Sequence, residues 1–141
     1  MRGLIVKLFD FGISETFETI HSKTFQDELC SGECIKVSLM YRPVEWLCHA
    51  EKINEKTDIW SLGCILYEMT CGQYLFCDLS MTHPIEYNER VYACGIAKAH
   101  TLLQNKDATI QVLGQIIREC LKDVDTRISA TMLHRIFTSF V

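Results

Sequence analysis

Asp10 stands within the run Lys7-Leu8-Phe9-Asp10-Phe11-Gly12, where a largely apolar stretch from Leu4 ends in an Asp-Phe-Gly triplet. A carboxylate offers the hard oxygen that small divalent cations prefer. A triplet by itself reads equally as a strand end followed by a turn. Two further stretches carry acids in recognisable company: Tyr41-Arg42-Pro43-Val44-Glu45, and Asp58-Ile59-Trp60-Ser61-Leu62-Gly63. Glu45 stands 13 positions before Asp58. Much later, Arg127 lies within Cys120-Leu121-Lys122-Asp123-Val124-Asp125-Thr126-Arg127-Ile128-Ser129. A different chemistry is offered by Cys30, Cys34 and His49, all zinc-ligand types. Their spacing lacks a second tight pair, so these thiols are assigned to packing or loops. The five histidines are read as solvated or capping groups.

Taken in order, the four segments resemble the C-terminal half of a eukaryotic-type protein kinase domain, and the resemblance covers essentially the whole chain. It implies a role for each matched residue. Asp10 holds the Mg²⁺ that bridges nucleotide phosphates, Phe11 packs inward, and Gly12 gives the turn its backbone freedom. Asp10, Phe11 and Gly12 are thus the cofactor-binding candidates, with Asp10 the metal ligand. Glu45 and Arg127 are expected to form a buried ion pair tying the end of the activation segment, residues 10–45, to the last helices. Asp58 anchors the backbone of the catalytic loop, while Trp60, Ser61 and Gly63 pack their helix into the lobe.

Tyr41-Arg42-Pro43 is similar to the cyclin-dependent and MAP kinase group, although Pro43-Val44-Glu45 departs from the usual Ala-Pro-Glu and that group's long insert is not evident. Ser38 sits where Ser/Thr kinases keep a threonine that contacts the catalytic aspartate. Glu33 lies five residues earlier, near the family's activating phosphothreonine. Its carboxylate carries only part of a phosphate's charge, and a solvated loop acid is the plainer reading. Ser31 and Thr24 are alternative phosphoacceptors.

The elements that must position these groups can be read from the pattern. Leu4 to Phe9 reads as a short buried strand, and Gly12 to Val37 as a long loop. Thr57 to Thr70 reads as a helix, capped by Thr57 or Asp58 and followed by Gly72. It is apolar on nearly every face, which marks a buried helix. Further helices are expected over Ile85–Leu103, with Gly95 a weak point, over Thr109–Leu121, and over Ser129–Phe140. The last has Met132, Leu133, Ile136 and Phe140 inward. A turn spans Lys122 to Thr126. The fold class is therefore mainly α: a kinase-like C-lobe with a short strand before Asp10 and about four helices around a buried central one.

Composition bounds the rest. The 141 residues are 48% apolar, which suits one globular domain and argues against disorder. The formal charge is −4 and the 14 Lys and Arg are scattered, so no nucleic-acid footprint is present. No apolar run reaches the roughly 20 residues of a membrane span. Lys7 and Asp10 interrupt the N-terminal apolar stretch too early for a signal peptide. With eight cysteines and no such signal, the thiols are read as reduced. Nucleic acid and membrane are excluded as partners, and an intracellular location, cytoplasmic or nuclear, is expected.

Phosphoryl transfer rests on positioning and electrostatics, and most of the groups it needs are not in these residues. No two of the seven glycines are separated by one residue, so a glycine-rich phosphate loop is absent. Only nine residues precede Asp10, too few for the strand lysine, the helix glutamate and the His-Arg-Asp loop. The single His-Arg, His134-Arg135, lies within the last helix. The expectation is a truncated lower lobe of a Ser/Thr kinase. Its family uses Mg and ATP to phosphorylate protein, while this chain alone has no catalytic residue, binds neither cofactor and is inactive. The alternatives are a non-catalytic, pseudokinase-type interaction module that docks on another kinase or regulator, and the C-terminal half of a split kinase completed by an N-lobe polypeptide. The helix that covers part of the Trp60–Met69 surface in the family is missing, so a bare apolar face is expected there.

Overall fold

The computed structural model describes residues 6–25, 27, 38–76 and 84–139. Among them six α-helices are delimited: α1 (Phe17–Ile20), α2 (Glu45–Cys48), α3 (Lys56–Cys71), α4 (Pro84–Leu103), α5 (Ala108–Cys120) and α6 (Ala130–Thr138). Single 3-10 turns occupy Leu39–Tyr41 and Ala50–Lys52. The chain is mainly α, and its four long helices begin and end within about two residues of the expected limits.

Local chemistry explains the boundaries. Asp107 caps α5 by accepting from the Thr109 amide at 2.8 Å, and Ser129 caps α6 by accepting from the Met132 amide at 3.3 Å. The start of α3 is held one residue further back than expected. Asn54 Oδ1 accepts from the Lys56 amide at 2.9 Å, and Thr57 Oγ1 accepts from the Asn54 amide at 3.3 Å. At the other end Gly72 adopts φ 68°, the left-handed conformation that stops a helix, and its amide reaches the Glu68 carbonyl at 2.7 Å.

α3 and α5 share the main core. Trp60, Cys64 and Tyr67 of α3 meet Ile117 of α5, Leu121 just beyond it, Ala99 and Leu102 of α4, and Leu75 and Phe76 from the loop after α3. A second cluster joins Ile59, Ile116, Cys120 and Leu133, so α6 docks through Leu133, with Ile136 packed beside it. Two glycines set the helix spacing. A Cβ on Gly63 would lie 2.6 Å from the Cys120 Cβ, and one on Gly114 2.7 Å from the Leu102 Cβ. The helices touch backbone to side chain at these points, which no larger residue permits.

Several expectations are corrected. Residues 6–9 form no strand, and Val6, Leu8 and Phe9 are exposed; a strand needs a neighbour for its backbone bonds, and no strand is present among the described residues. The stretch after Gly12 is not plain loop: Thr16 caps α1, accepting from the Thr19 amide at 3.2 Å, and residues 23–25 are helical. Gly95 does not weaken α4, because it packs under the Phe76 ring. α3 is not buried all round: Leu62, Ile65 and Met69 are exposed. Met132 of α6 is half exposed, and Phe140 lies outside the described residues.

Candidate functional site

The site is built around Glu45 and Arg127. Glu45 opens α2, and Arg127 closes the turn after α5, where its own amide reaches the Asp123 carbonyl at 2.8 Å. Arg127 Nη1 and Nη2 donate to the two oxygens of Glu45 at 2.6 and 2.9 Å. Both side chains are buried. Every guanidinium nitrogen and both carboxylate oxygens of the pair have a partner. Arg127 also donates to the carbonyls of Lys56 (2.9 Å) and Lys122 (3.0 Å), and Thr57 Oγ1 donates to Glu45 at 3.2 Å. This full set of partners is what makes two buried charges tolerable.

Trp60 is the floor beneath the pair. The Arg127 guanidinium lies 5.1 Å from the centre of its indole, a cation–π contact. Phe76 also stacks on this indole, with ring centroids 5.9 Å apart and planes inclined by 9°. Trp60 is wholly buried, so the bare face of α3 is made by Leu62, Ile65 and Met69 and not by the tryptophan.

A second tie holds the chain just before Glu45. The Tyr41 hydroxyl donates to Glu68 at 2.7 Å, and Ser61 Oγ donates to the Tyr41 carbonyl at 2.9 Å. The bond to Glu68, and then burial, push the Tyr41 phenol up to about 12. Sequence reasoning missed Glu68, Thr57 and Phe76. The helical spacing of Ser61 and Glu68 on one helix was visible, but their partner lies on another segment.

Asp58 is exposed and lines a cavity of about 300 Å³. Asn54, Glu55 and Thr57 continue its polar wall, while Ile13, Phe17, Phe25, Trp46 and Ile53 supply the apolar one. The Trp46 indole N–H is buried there and has no hydrogen-bond partner among the described residues. The Asp58 carboxylate likewise makes no hydrogen bond among them.

Asp10 stands apart from all of this. Its φ of 64° is left-handed, a conformation aspartate tolerates better than most residues. Its Oδ1 accepts weakly from the Gly12 amide at 3.4 Å. Phe11, expected to pack inward, is 68% exposed, and Phe9 87%, because no described element offers them an apolar surface. Among the described residues no group of three or more His, Cys, Asp or Glu could hold a metal ion. One exposed carboxylate is too few oxygens for Mg²⁺, so these residues by themselves do not fit a Mg–ATP site.

Ser38 and Thr24 are both exposed, whereas Ser31, Glu33, Cys30 and Cys34 lie outside the described residues. His49 is 3.5 Å from Glu51. Cys64 and Cys120 are buried thiols pushed up to about 12 by desolvation. No helix among the described residues is long and apolar enough to cross a membrane.

The model of the protein kinase domain matches residues 2–136. This chain belongs to the protein kinase domain family. Among its relatives, a Dictyostelium discoideum protein of the cyclin-dependent serine/threonine-protein kinase type is 36% identical over 95 residues, 67% of this chain and 13% of the relative. Serine/threonine-protein kinase Nek5 of Mus musculus is 36% identical over 87 residues, 62% of this chain and 11% of the relative. Cyclin-dependent kinase 15 of Homo sapiens is 39% identical over 71 residues, 50% of this chain and 14% of the relative. The chain therefore spans less than a sixth of each of these relatives. No solved structure matches it.

Proposed function

We propose that these 141 residues are the lower, C-terminal lobe of a serine/threonine protein kinase domain, with residues 10–45 as its activation segment, and that the lobe does not bind Mg–ATP or transfer phosphate unaided. The observation that carries this reading is a contrast. The end of the segment is locked into the helices by the Glu45–Arg127 pair, whereas Asp10 and both flanking phenylalanines stand in solvent. An anchored platform beside a bare metal-ligand candidate is what a lobe without its nucleotide-binding half would look like.

In this reading the cavity at Asp58 receives the catalytic loop, and the apolar stripe of Leu62, Ile65 and Met69 receives a preceding helix. Asp10 contributes one carboxylate to the metal in the completed domain. Ser38 contacts the catalytic aspartate of the completed domain, and Thr24 and Ser31 are the alternative phosphoacceptors of the segment. The partners are a protein substrate and the polypeptide that carries the glycine-rich loop, the strand lysine and the His-Arg-Asp loop.

The test is the coding sequence upstream of Met1, followed by a phosphotransfer assay on whatever longer chain it encodes. An in-frame His-Arg-Asp loop, with kinase activity abolished by Asp10→Ala, supports the reading. A longer chain without those motifs, or activity indifferent to Asp10, contradicts it.

A further inference from the structure

Residues 6–25 are exposed, with three exceptions. Ile20 and Ser22 are half-buried, and Phe25 alone is buried, at 7% exposure. Phe25 inserts into a cluster with Ile53, which is 2% exposed, and is walled by Ile20 and Trp46. It meets Trp46 edge to face with ring centroids 6.4 Å apart. Its backbone is fixed as well, since Ser22 Oγ accepts from the Phe25 amide at 3.2 Å.

The attachment is distinct from the main core. The Phe25–Ile53 cluster shares no buried residue with the two clusters that join α3, α4, α5 and α6. The stretch it holds down matters for access. Ile13, Phe17 and Ile20 line the same cavity as Asn54, Thr57 and Asp58. Among the described residues this segment is attached chiefly through Phe25, with Ile20 beside it, and a solvated segment held at so few contacts opens more easily than the packed helices behind it.

We propose that residues 13–25 are a strap latched by the single side chain of Phe25, and that withdrawing Phe25 from the Trp46–Ile53 pocket frees the strap as a unit and opens the cavity in front of Asp58. This is a conformational device built into the fold; the latch itself stands without the kinase reading, while the segment it would admit rests on that reading. Its role would be to control when another polypeptide segment gains the Asp58 cavity.

The experiment is hydrogen exchange of the whole chain, comparing wild type with Phe25→Ala and Phe25→Leu. Losing a buried aromatic ring should speed exchange of the described amides in residues 13–25 by roughly a hundredfold, with α3 to α6 unchanged. Phe25→Leu should recover most of the protection, because it refills the pocket. Acrylamide quenching gives a second readout: in Phe25→Ala the Trp46 emission becomes accessible while Trp60, wholly buried, stays shielded. Unchanged exchange in the strap would overturn the latch. Equal acceleration in α3 to α6, or general unfolding, would overturn it too, by showing that Phe25 belongs to the cooperative core.

Discussion

Glu45 and Arg127 lie 82 positions apart in the chain, yet their side chains meet in two parallel hydrogen bonds of 2.6 and 2.9 Å, sealed from solvent. The pair joins the start of α2 to the turn between α5 and α6. Removing one member leaves the other buried and charged, which costs about 3–5 kcal/mol. Arg127→Met and Glu45→Leu should each lower stability in urea denaturation by about that amount. The double variant should be far less damaged than the sum, because no lone charge remains. Additive losses would show that the two residues act independently.

Gly63 predicts an asymmetric rescue. Its Cα faces the Cys120 Cβ so closely that any side chain collides. Gly63→Ala should cost about 1–3 kcal/mol by overpacking. Cys120→Ala keeps the offending Cβ and should not relieve the clash, whereas Cys120→Gly should relieve it. Denaturation midpoints of the three combinations check this.

Three groups make the fold sensitive to alkali. The Tyr41 phenol rises from its ordinary 10.0 to about 12, first through its bond to Glu68. The Cys64 and Cys120 thiols rise from 9.0 to about 12, first through burial. In each case the fold favours the neutral form, and the folded value lies above the unfolded one. Their contribution is complete below about pH 9 and is lost as pH climbs through about 12. Thermal midpoints should be level from pH 7 to 9 and then fall. Tyr41→Phe should flatten part of the fall between pH 10 and 12, while lowering stability at neutral pH by about 1 kcal/mol for the lost hydrogen bond. A midpoint that rises with pH would contradict these assignments.

Asp58 separates stability from function. It is exposed and makes no hydrogen bond among the described residues, so Asp58→Ala should leave the stability of this chain within about 0.5 kcal/mol. In a longer, active polypeptide the same change should lower phosphotransfer at least tenfold, because a docked loop would lose its acceptor. A large stability loss in the short chain would mean that Asp58 already has a structural partner.

Much of the fold was legible because helical periodicity and caps are local. Asp107, Ser129 and Gly72 mark their boundaries through bonds within a few residues, and the long helices follow. The family was legible from ordered short motifs. Less local features were not. Leu4 to Phe9 has strand-like residues, but a strand exists only with a neighbour, and residues 6–9 have none among the described residues. A bare apolar face within Trp60–Met69 was expected, but only the arrangement of α4 and α5 decides that Leu62, Ile65 and Met69 form it and Trp60 does not. The Tyr41–Glu68 bond and the Phe25 plug join segments with no sequence periodicity between them. At Asp10 the sequence shows the residue type but not whether other metal ligands surround it.

In the proposed function, these residues do not form a nucleotide site by themselves. The direct measurement is the thermal midpoint of the purified chain with and without Mg–ATP at millimolar concentration, in wild type and in Asp10→Ala. The account predicts no shift in either protein. A clear upward shift in wild type that disappears in Asp10→Ala would contradict it, because Asp10 would then be holding a metal–nucleotide complex without the rest of a kinase domain.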